Sequence, residues 1–168
     1  ALNAAAGGAT VIVRPGTWVG AIDFLGKNIH LKSELGPAVT TLDARGVTTV
    51  VKFVSGEGPG AILEGFTITG GDGRYVDLGG GVSVRNGSSP VIRGNLITGN
   101  VGDFGGGVYS RSSSPEIVDN VIAANTAFHG GGVCVRSHSS YGWPAPTIIA
   151  KNRIIGNAAL HWALGGGG

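Results

Sequence analysis

The chain has 168 residues with a formal net charge of +2, and 33 of the residues are glycine. So much glycine would weaken the interior of every helix, which argues against a helical bundle, and the glycines lack the every-third-residue period of collagen. A charge this small is not typical of a nucleic-acid-binding protein, and no apolar run approaches the ~20 residues that span a membrane. Hydrophobic residues make up 42% of the chain, enough to bury a core, so the composition predicts one folded domain.

The residue pattern in the first half of the chain is typical of short strands separated by glycine turns. A short helical cap is predicted at Ala1–Ala6, followed by strands over Thr10–Val13, Asn28–Lys32, Thr49–Val54 and Ala61–Thr69. Methionine is absent even at position 1, which predicts an excised part of a longer protein whose signal peptide has been removed. The one cysteine excludes an internal disulfide.

The second half of the chain repeats with a period of about 25 residues. The segment Gly-Gly-Gly-Val begins at Gly79, Gly105 and Gly130. The inserted stretch 138–145, which contains Tyr141 and Trp143, lengthens the last repeat. Each repeat contains three short apolar runs that are too short for helices and rich in β-branched residues. A unit this small must stack on copies of itself to bury an apolar face, so the repeat predicts an all-β solenoid of parallel strands, with three strands in each coil.

This pattern resembles the right-handed parallel β-helix proteins of the pectate-lyase-like superfamily. The resemblance is strongest in the segment from Gly8 to Trp18 and in the repeated Ser-Ser-Pro, Asn-x-Ile, Gly-Asn and Gly-Gly-Gly-Val motifs. It implies a single right-handed parallel β-helix, and the chain length divided by the repeat length predicts six or seven coils. It also implies an extracellular or cell-surface protein that binds, cuts or modifies polysaccharides. Because enzymes, adhesins and scaffolds share these motifs, the fold alone does not assign a function.

Stacked coils bring equivalent residues into columns along the axis. Two asparagine ladders are predicted, one of Asn95, Asn120 and Asn152, the other of Asn100, Asn125 and Asn157. Asparagine also tolerates left-handed turn geometry, so turn chemistry accounts for these residues. The glycine runs are interpreted as tight turns. Inward positions are assigned to Val82, Val84, Ile97, Val108, Ser110, Ile122, Val133 and Val135. Glu64 and Arg93 fall in matching positions of adjacent coils, which predicts an ion pair.

The positions that alternate with these valines should face outward. One outward set is Ser83, Tyr109 and Cys134, and the next is Arg85, Arg111 and Arg136. Arginines stacked about 5 Å apart repel one another unless water, a carboxylate or an anionic ligand relieves the repulsion. Guanidinium groups bind carboxylates and sulfates in a bidentate manner. The column therefore predicts either a track for an acidic polysaccharide or an ordinary solvated strand edge that discourages aggregation.

A variable loop precedes each glycine run and should lie beside the arginine column. These loops contain Asp72, Arg74, Tyr75, Asp77, Asp103, Phe104, Phe128, His129, His161 and Trp162. In the enzymes of the resembled superfamily the active groove follows one sheet and its bordering loops, where aromatic rings stack on sugars. Alternatively, Phe104 and Phe128 form a stacked pair inside the coil, and the histidines are surface turn residues.

Catalysis would need groups that this sequence supplies sparsely. A lyase needs clustered carboxylates, with Ca²⁺ as the metal, and a base. The candidates are Asp72, Asp77 and Asp103, with Arg111 as base. A glycosidase needs two carboxylates about 5–9.5 Å apart, and Asp77 and Asp103 are the pair on neighbouring coils. The clustered aspartates of the superfamily's enzymes are not reproduced.

The leading hypothesis is therefore a secreted or cell-surface module that binds an acidic polysaccharide through Arg85, Arg111 and Arg136, flanked by Tyr109 and His129. A lyase or hydrolase acting on such a polymer, and a purely structural scaffold, stay open as alternatives. No cofactor is expected unless Ca²⁺ binds, and no nucleic-acid partner or membrane span is predicted. Uncapped coil ends or outer strand faces would permit a homo-oligomer.

Overall fold

The computed structural model describes residues 2–74, 78–136 and 146–160. Six coils of short parallel strands stack along one axis behind a 3-10 turn at Leu2–Ala4. The predicted all-β parallel helix is confirmed. The helix expected at Ala1–Ala6 is a single turn at Leu2–Ala4. Gly7 and Gly8 directly follow the expected segment, and glycine disfavours helix propagation. No helix in the described ranges is long and apolar enough to cross a membrane.

Two six-stranded sheets receive one strand from every coil. Sheet I contains β1 (Thr10–Val13), β4 (His30–Ser33), β7 (Ile62–Glu64), β10 (Val91–Arg93), β14 (Glu116–Val118) and β18 (Ile148–Ala150). Sheet II contains β2 (Gly16–Val19), β5 (Thr40–Asp43), β8 (Thr67–Thr69), β11 (Leu96–Thr98), β15 (Val121–Ala123) and β19 (Arg153–Ile155). The single strand predicted over 61–69 is thus two strands, because Gly65 has a φ of 81° and turns the chain from sheet I to sheet II.

Two smaller sheets complete the coils. Sheet III contains β3 (Ile22–Asp23), β6 (Val51–Phe53), β9 (Val82–Val84), β13 (Val108–Arg111) and β17 (Val133–Arg136). Sheet IV contains β12 (Val101–Phe104), β16 (Thr126–His129) and β20 (Ala158–Ala159). The fourth and fifth coils therefore carry four strands rather than the predicted three. The segment expected to be a loop before each glycine run is itself a strand in these coils.

The core lies inside the coils and is formed by the predicted inward positions. Side chains that are completely buried include Val82, Val84, Ile97, Val108, Ser110 and Ile122. Val133 is partly buried against this core. Val135 is 45% exposed because it lies on β17, the last described strand of sheet III. The inward assignment therefore holds in the middle of the solenoid and weakens at its described end.

Two ladders of asparagines run along the axis, as predicted, and all of them except Asn152 and Asn157 are buried. The Asn95 Nδ2 donates to Asn120 Oδ1 at 3.1 Å, and Asn120 donates in the same way to Asn152 at 3.0 Å. Asn120 Nδ2 also donates to the carbonyl of Ile92, and its Oδ1 accepts from the backbone N–H of Asn95. Each amide therefore satisfies backbone groups of the turn as well as its neighbour in the ladder.

The second ladder has the same pattern. Asn100 Nδ2 donates to Asn125 Oδ1, and Asn125 donates to Asn157 Oδ1, both at 3.0 Å. The asparagines themselves are not left-handed, contrary to the sequence interpretation. Positive φ angles occur instead at the residue before each of them, in Gly94, Gly99, Asp119, Ala124, Lys151 and Gly156.

The glycine runs are required by close backbone stacking rather than by turn geometry. A Cβ at Gly80 would lie 2.5 Å from the carbonyl oxygen of Gly106, and one at Gly106 would lie 2.6 Å from that of Gly131. In the three runs, left-handed φ angles occur only at Gly105 and Gly130. The repeated glycines thus allow consecutive coils to approach where any side chain would collide.

Glu64 links three consecutive strands on the outer face of sheet I. Its carboxylate contacts Arg93 at 2.7 Å, His30 at 3.0 Å and Lys32 at 3.1 Å. The predicted pair with Arg93 is confirmed. Burial raises the pKa of Glu64, but the hydrogen bonds from Arg93, Lys32 and His30 outweigh that effect and lower it to about 2. This carboxylate therefore stays ionised and ties the second, third and fourth coils together.

Glu57 is a second anchoring carboxylate and is completely buried. It accepts hydrogen bonds from the backbone N–H groups of Gly26 and Ser55 and from the hydroxyl of Ser88. Burial raises the pKa of Glu57, and these hydrogen bonds reverse the shift and lower it. The turns of three successive coils are joined through this one side chain.

Candidate functional site

The outer face of sheet III carries the predicted column of arginines. Arg111 pairs directly with Arg136 in the β13–β17 register. Val84 pairs with Ser110 in the β9–β13 register, so Arg85 follows in line with Arg111. We call Arg85, Arg111 and Arg136 the arginine ladder. Arg111 and Arg136 are exposed and Arg85 is half-buried. The strand pairing therefore confirms that the three arginines share one register.

Two other cations belong to a different face. Lys32 lies on β4 of sheet I, in register with Ile12, and Arg14 directly follows β1 of the same sheet. Lys32 is also paired with Glu64 at 3.1 Å. Within the described ranges, the arginine ladder is thus confined to the third, fourth and fifth coils.

An aromatic and cationic stack lies between sheet IV and the ladder. Phe104 on β12 pairs in register with His129 on β16, and their rings stack with centroids 4.8 Å apart and an interplanar angle of 15°. The Arg136 guanidinium lies over the Phe104 ring at 4.4 Å, within the range of a cation–π contact. Phe104 and His129, the residues directly before the glycine runs that begin at Gly105 and Gly130, therefore lie beside the arginine ladder, as predicted.

The expected pairing of Phe104 with Phe128 is wrong. Gly102 pairs with Ala127, which places Phe104 opposite His129 instead. The spacing from the ladder asparagines predicts this register, because Phe104 lies four residues after Asn100 and His129 lies four residues after Asn125. His129 is exposed while its ring is held against Phe104. The histidine is therefore a positioned ring at the surface and not a simple turn residue.

Tyr109 does not have the exposure that its outward position predicts. It alternates with the core residues Val108 and Ser110, yet its exposed fraction is 0%. The ring of Phe104 stacks on it at a centroid distance of 5.7 Å, and a Cβ on Gly79 would lie only 2.6 Å from its Cβ. The glycine run and sheet IV thus cover this part of the outer face.

The neighbours of Tyr109 in the same column are covered to different extents. Ser83 is also completely buried, and Cys134 is half-buried. Burial raises the pKa of the Cys134 thiol, and the nearby charge of Arg136 opposes that shift. The outward column is therefore covered completely at Ser83 and Tyr109 and only partly at Cys134.

Of the carboxylates proposed for catalysis or Ca²⁺ binding, the described ones, Asp72 and Asp103, lie in different structural settings. Asp72 forms a bridge with Val101 and is held by Arg74 at 2.6 Å. The hydrogen bond from Arg74 lowers the pKa of Asp72, against a smaller effect of burial. Asp103 lies on β12, directly before Phe104. Within residues 2–74, 78–136 and 146–160, no group of three or more histidine, cysteine, aspartate or glutamate side chains could hold a metal ion.

Several predicted site residues cannot be placed. Tyr75, Asp77, Tyr141, Trp143, His161 and Trp162 lie outside the described residues. The Asp77–Asp103 pair therefore stays a prediction. Of the residues proposed to bind substrate, the structure brings together Arg85, Arg111, Arg136 and His129 at the surface and Tyr109 directly beneath it. Sequence reasoning missed the role of Phe104 as the centre of this group.

The repeated coil and its stacked columns agree with a known family. A family model described as "Right handed beta helix region" matches residues 52–168. The chain belongs to the right-handed β-helix family. The match includes the arginine ladder, Phe104 and His129, so the candidate site is part of the family repeat. No curated protein and no solved structure matches the chain. The right-handed β-helix architecture is thereby established, and the function has to be argued from the site.

Proposed function

We propose that this right-handed β-helix is a secreted or cell-surface module that binds an acidic polysaccharide along its arginine ladder. The observation that carries the proposal is the direct pairing of Arg111 with Arg136 on adjacent parallel strands, with Arg85 next in line. Because neighbouring strands are about 4.8 Å apart, the ladder offers one cation at each step along the axis. A linear polymer with regularly repeated anionic groups matches that arrangement.

Charge provides the main attraction in this proposal. Like charges on adjacent strands destabilise a sheet, and a bound polyanion would relieve the repulsion between Arg111 and Arg136. Both side chains are exposed, so an extended polymer can reach them without opening the coil. Guanidinium groups bind carboxylate and sulfate oxygens in a bidentate manner, which favours uronic acid or sulfated sugars over neutral ones.

The aromatic stack provides a second contact beside the charges. His129 is exposed, and its ring is held by Phe104 at 4.8 Å. A ring fixed in this way presents a flat surface to a pyranose ring without losing conformational freedom on binding. Arg136 lies over the same Phe104 ring, so the charged contact and the flat contact are adjacent. This combination supports a saccharide over a simple inorganic anion.

Titration calorimetry with dextran sulfate and with polygalacturonate tests the proposal, and unmodified dextran serves as the neutral control. We expect binding to both acidic polymers and none to dextran. Arg111→Ala and Arg136→Ala should each weaken binding about tenfold, since each removes a charge-assisted contact. Arg153→Ala is the matched control, because it removes the same charge from the outer face of sheet II.

The proposal is rejected if Arg111→Ala and Arg136→Ala bind the acidic polymers as tightly as Arg153→Ala does. Equal affinity for dextran and dextran sulfate would also contradict it, because the ladder would then play no part in recognition. The roles of Asp77, Asp103 and Arg111 in catalysis, a Ca²⁺ site and a homo-oligomer stay predictions that this titration does not address.

A further inference from the structure

We infer that the hydroxyl of Tyr109 is a specificity-determining contact, which donates a hydrogen bond to an anionic oxygen of the bound polysaccharide. This inference rests on the proposed function and adds a buried residue to the exposed arginine ladder. It starts from an anomaly in hydrogen bonding. Among the residues that the structure describes, Tyr109 Oη and Ser110 Oγ are buried hydroxyls that have no hydrogen-bond partner.

An unpaired buried hydroxyl needs a physical explanation. The great majority of buried polar atoms in proteins are hydrogen-bonded, because leaving one unpaired destabilises the folded state. The ring of Tyr109 packs on Phe104 at 5.7 Å, and a phenylalanine would provide the same packing without the unpaired group. Groups that lower stability in this way concentrate at functional sites.

The surroundings of Tyr109 identify the class of group that would pair with its hydroxyl. Burial raises the pKa of Tyr109, and the positive charges of Arg111, Arg136 and Arg85 oppose that shift. The hydroxyl is therefore protonated near neutral pH and lies within the field of all three ladder arginines. A neutral donor surrounded by guanidinium groups is suited to an anionic oxygen, which can accept from Tyr109 and from an arginine together.

The cover over Tyr109 includes the half-buried ring of Phe104, which stacks on it. The exposed guanidinium of Arg136 lies over the same ring. When the polymer pairs with Arg136, the guanidinium leaves the Phe104 ring, and a shift of that ring then opens the layer above the tyrosine. The hydroxyl then gains the partner that it lacks in the free protein. Binding at the ladder is thus coupled to satisfaction of a buried donor.

Ser110 provides a matched control within the same strand. Its Oγ is also buried and has no partner in the described part of the chain, but its side chain faces the core in register with Val84 and Val135. Removing either hydroxyl should stabilise the free protein, since each removal eliminates an unpaired buried group. Only the removal of the Tyr109 hydroxyl should affect the ligand.

The test combines thermal unfolding with calorimetric titration of dextran sulfate and polygalacturonate. For Tyr109→Phe we expect a rise in Tm of about 3–6 °C and an affinity about tenfold weaker. For Ser110→Ala we expect a similar rise in Tm and no change in affinity. The opposite directions of the two effects in Tyr109→Phe exclude simple misfolding as the cause.

Three results would overturn the inference. A lower Tm for Tyr109→Phe would mean that the hydroxyl already has a partner in the free protein. A higher Tm with unchanged affinity would mean that the hydroxyl is unpaired but does not meet the ligand. In that case the proposed function still stands if Arg111→Ala weakens binding. If the wild-type protein binds neither polymer, the proposed function and this inference fail together.

Discussion

The residue before every ladder asparagine has a left-handed backbone, and glycine occupies only three of these six positions. Ala124 has a φ of 54°, in a region where a Cβ costs about 1–2 kcal/mol. The amide of Asn125 fixes this geometry, because its Oδ1 accepts from Asn100 N in the neighbouring coil. Local strain at Ala124 is therefore imposed by the ladder that follows it.

Ala124→Gly is accordingly predicted to stabilise the protein by about 1 kcal/mol. The substitution removes the backbone strain of the folded state, and this gain exceeds the cost of the larger conformational entropy that glycine gives the unfolded chain. Urea unfolding measures the change. Ala123→Gly is the control, because Ala123 lies within β15, where glycine should destabilise by about 0.5–1 kcal/mol. Equal destabilisation by both substitutions would show that Ala124 is not strained.

The ladder asparagines also show which properties of a single residue can be predicted from the sequence. Their spacing predicted both ladders correctly, because a fixed period places equivalent side chains in one column. The assignment of left-handed geometry to the asparagines was wrong, since Asp119, Ala124 and Lys151 have that geometry instead. Propensity favours asparagine at such positions, but in this solenoid the left-handed residue is the one before each ladder asparagine.

At the scale of the strand, sheet I depends on the ionised form of Glu64. The folded-state pKa of this carboxyl is about 2, well below its ordinary value of 4.5. A lowered pKa contributes stability that is fully present above about pH 4.5 and is lost as the pH falls toward 2. The contribution is on the order of 2–3 kcal/mol by linkage, with Lys32 and Arg93 as partly exposed partners.

Glu64→Gln is therefore expected to lower stability by about 2–3 kcal/mol at pH 7 and to have almost no effect near pH 2. Urea denaturation across this pH range measures the difference from the wild-type protein. Glu116→Gln, an exposed change on the same sheet, should leave the pH profile nearly unaltered. A constant difference between Glu64→Gln and wild type at every pH would contradict the linkage.

The glycine runs determine how closely the strands of sheets III and IV approach. We predict that Gly106→Ala destabilises the protein by about 3 kcal/mol or more, because the new methyl group would meet the backbone carbonyl of Gly131 at 2.6 Å. Thermal unfolding of Gly106→Ala beside Gly7→Ala measures this effect. No atom lies within 4 Å of a Cβ at Gly7, so that control should be nearly neutral. Similar Tm values for the two variants would show that the coils can separate to admit a side chain.

The glycine runs also mark a limit of prediction at this scale. Glycine in a short repeat is most readily interpreted as a turn residue, and that was the sequence interpretation. Gly80 and Gly106 have no left-handed φ, and their requirement comes from carbonyl groups one coil away. A contact between residues about 25 positions apart leaves no local signal, so it becomes visible only when the coils are stacked.

At the scale of the whole molecule, the period of the repeat predicted the solenoid, its parallel strands and the register of the arginine ladder. The same register also predicts the Phe104–His129 pair, although the shared residue type favours a pair of Phe104 with Phe128. The burial of Tyr109 could not be predicted. It depends on the fourth sheet, which covers the outer face, and alternation along a strand assigns a direction but not an exposure.

The proposed function of this β-helix is to bind acidic polysaccharides along the arginine ladder. The most direct measurement is affinity electrophoresis of the wild-type chain in gels that contain dextran sulfate, polygalacturonate or dextran, at low and at moderate salt. We predict retardation by the two acidic polymers only, weaker at moderate salt because exposed charges are then screened. Unretarded migration in all three gels at low salt would contradict the claim and leave the arginine ladder as a solvated strand face.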